Sequence, residues 1–275
     1  MEFTFILYLF LAGAFGGFMA GLLGVGGGVV FVPLITHYIG TIAVPEASFS
    51  ALVMANSFSV IFVIGIFGTL KQKKLGQFYP KIILATGIPA VIGSIGTSKL
   101  LVISGLYSKH IFSVFFIGLL CFVLFRFLVE AIKQKKNKSV ETIYQPENLN
   151  VFLLPGFLSG IIAALSGLGG GIVMIPYFTQ LLKMPIKSAT AISLSVITLG
   201  ALPLLIFYLF QDIKLPLGMP HTGHIIWALV VPMILGSMLT VGFGVSLSKK
   251  ISPWLVFILL SVFIIFTILK LLINL

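Results

Sequence analysis

Charge is what this sequence has least of. Only 8% of its 275 residues are charged and six are acidic, whereas a soluble domain carries about 25% charged residues. With 59% hydrophobic residues and a mean hydropathy of +1.21, the chain is excluded from the soluble globular class and reads as a polytopic membrane protein. Cysteine is nearly absent too. The single Cys121 lies in an apolar run, which excludes an intrachain disulfide and a multi-cysteine metal site and leaves a small hydrophobe, buried or lipid-facing. The N-terminal MEFTFILYLFLAGAF carries Glu2 and no basic segment, so it reads as mature structure rather than a signal peptide.

The few carboxylates are placed as tellingly as they are few. Glu2, Glu46, Glu130, Glu141, Glu147 and Asp212 all fall at the ends of apolar stretches or between them. Cation and proton carriers usually keep an Asp or Glu mid-membrane, despite an insertion cost of about 2.5–3.5 kcal/mol. An interior free of negative charge suits an anionic substrate, which a carboxylate would repel. His37, His110, His221 and His224 also lie near stretch ends and read as interfacial or loop residues. The spacing of His221 and His224 permits a metal, but no further ligands accompany them, so neither metal nor cofactor is assigned. The net charge of +11 comes from basic residues in short connections, which is the positive-inside bias of membrane proteins and not the footprint of a nucleic-acid partner. The partners implied are a small anion and membrane lipid; the sequence leaves a homo-oligomer open.

What the chain has in excess is glycine, and it says so twice. Gly13 to Pro33, GAFGGFMAGLLGVGGGVVFVP, returns from Gly156 to Pro176 as GFLSGIIAALSGLGGGIVMIP, with ten of twenty-one positions identical at a spacing of 143. Pro89, Gly93 and Ser94 match Pro232, Gly236 and Ser237 at the same spacing, and Ala47 and Leu52 match Ala189 and Leu194 at 142. The chain is therefore two copies of one unit, residues 1–132 and 151–275, joined by a polar linker, 133–150, rich in lysine. Each copy carries five apolar stretches. Most are long enough to cross about 30 Å of hydrocarbon, but the stretch after each glycine cluster is too short. The fold class expected is an all-α polytopic membrane protein of two homologous repeats, with about 8–10 transmembrane segments including broken or half helices.

Whether the second copy is inverted depends on the parity of crossings. With the linker in the cytoplasm and each glycine cluster joining two crossings, 13 basic residues lie inside and 4 outside; with one crossing there, the count is 11 and 6. The positive-inside rule favours the odd, inverted arrangement.

Gly24, Gly26, Gly27 and Gly28, and their counterparts Gly167, Gly169, Gly170 and Gly171, are costly inside a helix, by roughly 1 kcal/mol each relative to alanine. A chain break would reward them by freeing backbone N–H groups at the start of the next helix, where the dipole attracts an anion. In transporters such breaks lie near the midplane between repeats. The upstream ladder Gly13, Gly17, Gly21 has the spacing of close helix packing, and no nucleotide-binding loop fits, since no Lys-Ser/Thr follows. Within the spans, Asn56 aligns with Thr198. Both are candidate oxyanion ligands, with interhelical hydrogen bonding as the competing role.

Two G-x-G-G-G clusters each followed five residues later by proline, the Ala47-Ser48 and Ala189-Thr190 span starts, and the paired P-x-x-x-G-S motifs resemble the sulfite exporter TauE/SafE family of membrane permeases. The resemblance covers essentially the whole chain. It implies carriage of sulfur-containing anions such as sulfite, sulfonates or sulfoacetate across the cytoplasmic (inner) membrane. No ligand set transfers from the family residue by residue, so the site list rests on the glycine clusters, Asn56 and Thr198. An anion channel and an integral membrane enzyme are the alternatives, and the second lacks an acid, base, metal or nucleophile cluster.

Overall fold

A computed structural model describes residues 3–42, 44–104, 107–136, 148–211, 213, 220–248 and 253–273. Each copy folds as five helices. The first holds α1 (Phe3–Leu23), α2 (Gly28–Gly40), α3 (Glu46–Lys74), α4 (Pro80–Ser104) and α5 (Lys109–Lys136). The second holds α6 (Leu153–Ser166), entered through a 3-10 turn at Leu149–Phe152, then α7 (Gly171–Pro176), α8 (Ile186–Leu209), α9 (Trp227–Leu247) and α10 (Pro253–Ile273). Among the described residues seven helices are long and apolar enough to span a membrane, and the shorter apolar helices are Gly28–Gly40 and Gly171–Leu181. These two are the half helices expected after each glycine cluster.

Local chemistry sets the element ends. Pro45 and Pro185 hold the extended conformation just before α3 and α8, and the ring's fixed φ suits a helix start. Pro176 removes a backbone donor, and α7 loosens after it into a π-helical turn, Tyr177–Leu181. Two features go beyond the sequence reading. α5 continues to Lys136, so the first four linker residues are helical, while 137–147 lie outside the described residues. The loop before α9 carries a small hairpin, β1 (His221–Thr222) antiparallel to β2 (Ile225–Ile226).

The two copies interlock rather than sit side by side. α1 packs on α9, α4 on α6, α3 on α8 and α5 on α10, so each first helix meets the fourth helix of the other copy. Small residues make the approach. A β-carbon on Gly13, Gly17 or Gly21 would strike the backbone of α9 at Met233, Ser237 or Val241, and one on Gly156 or Gly160 would strike α4 at Thr86 or Ala90. Because the contacts advance together, these helix pairs run parallel. α3 and α8 run the other way: Tyr208 reaches Met54, Thr198 packs on Gly65 and Thr69 reaches Ser195. Lipid tails give helices no hydrophobic reason to associate, so backbone proximity of this kind is the main source of cohesion.

Gly160→Val should push α4 and α6 apart and destabilise the protein by about 1–3 kcal/mol or more. Gly96→Val, at a site with no neighbour within 4 Å of the added carbon, should be nearly neutral. Thermal unfolding of both variants in detergent checks the contrast.

Candidate functional site

The two glycine loops adopt one conformation. Gly24, Gly26 and Gly27 have φ of 69°, 87° and 74°, and Gly167, Gly169 and Gly170 have 72°, 87° and 75°. Residues with a side chain rarely enter this left-handed region, which is why three of the four glycines in each cluster are needed. Gly27 and Gly170 precede α2 and α7, and their carbonyls accept from the N–H groups of Val30 and Phe31, and of Val173 and Met174. Among the described residues the N–H groups of Gly28, Val29, Gly171 and Ile172 have no hydrogen-bond partner, as the geometry of a helix start dictates.

The loops meet at the centre of the molecule and pass each other antiparallel. A β-carbon on Gly28 would lie 2.6 Å from Leu168 Cα, and one on Gly171 would lie 2.9 Å from the Gly24 carbonyl oxygen. The fourth glycine of each cluster thus serves close approach, and the first three serve φ. Two helix N-termini are thereby brought together, each with about half a positive charge from its dipole. The long helices α3 and α8 brace this crossing. Ser57 Oγ donates to the Gly167 carbonyl at 2.7 Å, and Ser193 Oγ donates to the Gly24 carbonyl at 2.8 Å. Ile197 fits between the loops, with Cγ2 about 3.2 Å from the β-carbon position of Gly26 and 3.0 Å from that of Gly169. Beside Gly169 a void of about 10 Å³ lies between Ser94, Ser159 and Phe58, room for about one water.

All eight predicted glycines are therefore brought to one place. Asn56 and Thr198 are not directed there by their hydrogen bonds. Asn56 is fully buried; its amide donates to the carbonyls of Leu52 and His224 and accepts from the Ile226 N–H. Both of its donors are used, so it acts as the fastener that ties the hairpin to α3. Thr198 donates to the Leu194 carbonyl and packs on Gly65 at the α3–α8 crossing. Ser57 and Ser193 stand mid-span in the sequence as candidates for an oxyanion or for interhelical hydrogen bonding, and it is glycine carbonyls of the loops that they bond. His224, expected at an interface or in a loop, lies in the hairpin turn but is only 6% exposed. The ladder Gly13, Gly17, Gly21 packs as its spacing suggests.

With this geometry in view, the relatives become informative. The family model described as sulfite exporter TauE/SafE matches residues 9–271. The chain belongs to this family. A "probable membrane transporter protein" of Methanocaldococcus jannaschii is 28% identical over 95% of this chain and 94% of its own length, and one of Bacillus subtilis is 23% identical over 90% and 89%. An Arabidopsis thaliana protein named "Sulfite exporter TauE/SafE family protein 3" is 32% identical over 40% of this chain and 22% of its own length. No solved structure matches significantly. This TauE/SafE protein is thus a multi-pass membrane transporter and not an enzyme.

Ser57→Ala and Ser193→Ala each leave a buried glycine carbonyl without its donor and should cost about 0.6–2 kcal/mol apiece. The double variant should lose less than the sum, because each loop supports the other and losing one bond already weakens the second. A double-mutant cycle by thermal unfolding reads the coupling.

Proposed function

We propose that this TauE/SafE protein is a secondary carrier of small sulfur-containing anions, such as sulfite or organosulfonates, across the cytoplasmic membrane. In this reading two inverted halves alternate access around the crossed glycine loops, whose main-chain N–H groups receive the anion. The observation that carries it is the meeting of two helix N-termini, with unpartnered N–H groups, at a buried point. Positive helix ends brought together in low dielectric favour a negative charge between them.

Other features support the reading. The apolar stretches hold no mid-span carboxylate. α3 and α8, equivalent helices of the two copies, run antiparallel, as inverted copies require. The loops are held alike in the two copies: Ser57 and Ser193 lie in the matching stretches ANSFSVI and AISLSVI, so these helices correspond at a spacing of 136 rather than 142, and the two serines make the same bond, to Gly167 and to Gly24. Ile197 then stands where it would have to withdraw for an anion to reach both loops. Asn56 and Thr198 contribute by fixing the hairpin and the α3–α8 crossing.

Reconstituted into vesicles, the protein should take up labelled sulfite with saturation, and unlabelled sulfite inside should accelerate entry by counterflow. Flux that rises without limit and shows no counterflow would mean a channel, and no flux of sulfite, sulfate or a sulfonate would remove the anion reading altogether.

A further inference from the structure

A cavity of about 160 Å³ opens beside the second glycine loop, between the start of α3, the α4–α5 junction, the end of α8 and the hairpin. Its polar wall is Ser48, Tyr107, Tyr208, Gln211 and His224. Two contacts join it to the loop. Tyr107 Oη donates to the Leu165 carbonyl at 2.6 Å, two residues before Gly167, and Met54, which also lines the cavity, lies 3.7 Å from the β-carbon position of Gly167.

His224 is the unusual member. Its main chain is held at both ends: the N–H donates to the Tyr208 carbonyl at 3.1 Å, and its carbonyl accepts from Asn56 at 3.0 Å. Its ring lies against that of Tyr208, with centroids 6.0 Å apart, yet the buried Nδ1 has no hydrogen-bond partner. A buried polar atom left unpaired costs about 1–3 kcal/mol, and the residue lines a cavity large enough for a small oxyanion.

We propose that this cavity is a binding site for a small oxyanion, and that the anion is taken up there together with a proton on the His224 ring. Protonation charges the ring, and the anion supplies the counter-charge that a buried imidazolium requires. The hydroxyls of Ser48 and Tyr208 and the amide of Gln211 offer further donors. The titratable groups around the ring are Tyr208 from α8, Tyr107 from the α4–α5 junction and His221 from the hairpin. No carboxylate lines the cavity among the described residues; Glu46, in the first turn of α3, is exposed, and Asp212 lies outside the described residues. Uptake of anion and proton together is electroneutral for a monoanion, so a proton gradient would drive it. The inference rests on the carrier reading and adds a second station beside the glycine loops.

The sign of the pH effect follows from burial. Burial pushes His224 below its ordinary value; the nearby backbone of Tyr208 and Gln211 offsets part of this, and His221 adds to the lowering. The empty site therefore holds neutral histidine near neutral pH, and the occupied site holds one proton more. Affinity should rise as pH falls, by at most about tenfold per pH unit for one proton.

Binding of methanesulfonate, which does not titrate near neutral pH, tests this on the full chain in detergent by calorimetry, with proton uptake read by an indicator dye. The wild type should take up one proton per anion and bind more tightly as pH falls. His224→Gln should abolish both the uptake and the pH slope and weaken binding about tenfold. Because the main chain of residue 224 carries the tether, that variant should keep the fold. Tyr208→Phe should weaken binding several-fold and keep the pH slope. Binding by the wild type without proton uptake, or a pH slope that survives in His224→Gln, overturns the proton-linked site and leaves the carrier standing. Failure of the wild type to bind any of sulfite, sulfate or methanesulfonate overturns the site and the carrier together.

Discussion

Everything in this molecule is arranged around two stretches of backbone that must touch. Gly24 to Gly28 and Gly167 to Gly171 cross within van der Waals distance, and each turns through left-handed conformations that L side chains avoid. The crossing places two positive helix ends together, which is unfavourable while nothing lies between them. The fold offsets that cost through hydrogen bonds from Ser57 and Ser193 to the loop carbonyls and through the packing of Ile197 against both loops. Positive helix ends held together where the two repeats of the chain meet would favour an anion between them, which is the basis of the carrier proposal.

The surrounding architecture follows from the same requirement. For the loops to meet, the first helix of each copy must run along the fourth helix of the other, and the contact must be nearly backbone on backbone. Glycines on α1, α6, α4 and α9 allow it, including Gly93 and Gly236, whose β-carbons would strike Phe157 and Phe10. Helices packed by small residues keep few side chains interlocked across the interface. Such surfaces can slide or rock with little repacking.

Much of this was legible in the sequence, and the unreadable part has a physical reason. Duplication, the five stretches in each copy, the two half helices and the glycine breaks follow from spacing and hydropathy, which are local properties. Which helix meets which across the copies is not local: the ladder Gly13, Gly17, Gly21 says that a backbone approaches, but not that it belongs to α9. Asn56 stands mid-span and reads as a candidate oxyanion ligand, because its hairpin partners, the His224 carbonyl and the Ile226 N–H, lie 168 and 170 residues away. The hairpin reads as an ordinary proline and glycine loop, which places His224 in a loop or at an interface but says nothing of its burial. Its burial depends on Asn56 drawing the loop inward, a tertiary bond that no pattern of neighbours encodes.

The central claim is that main-chain N–H groups of both loops receive the anion. Selective labelling of glycine with nitrogen-15 makes it directly visible in the nuclear magnetic resonance spectrum of the detergent-solubilised protein during titration with sulfite. On this account the amide resonances of Gly26 to Gly28 and of Gly169 to Gly171 move downfield together, with one shared dissociation constant. Saturable sulfite binding that leaves both sets of resonances in place would contradict it.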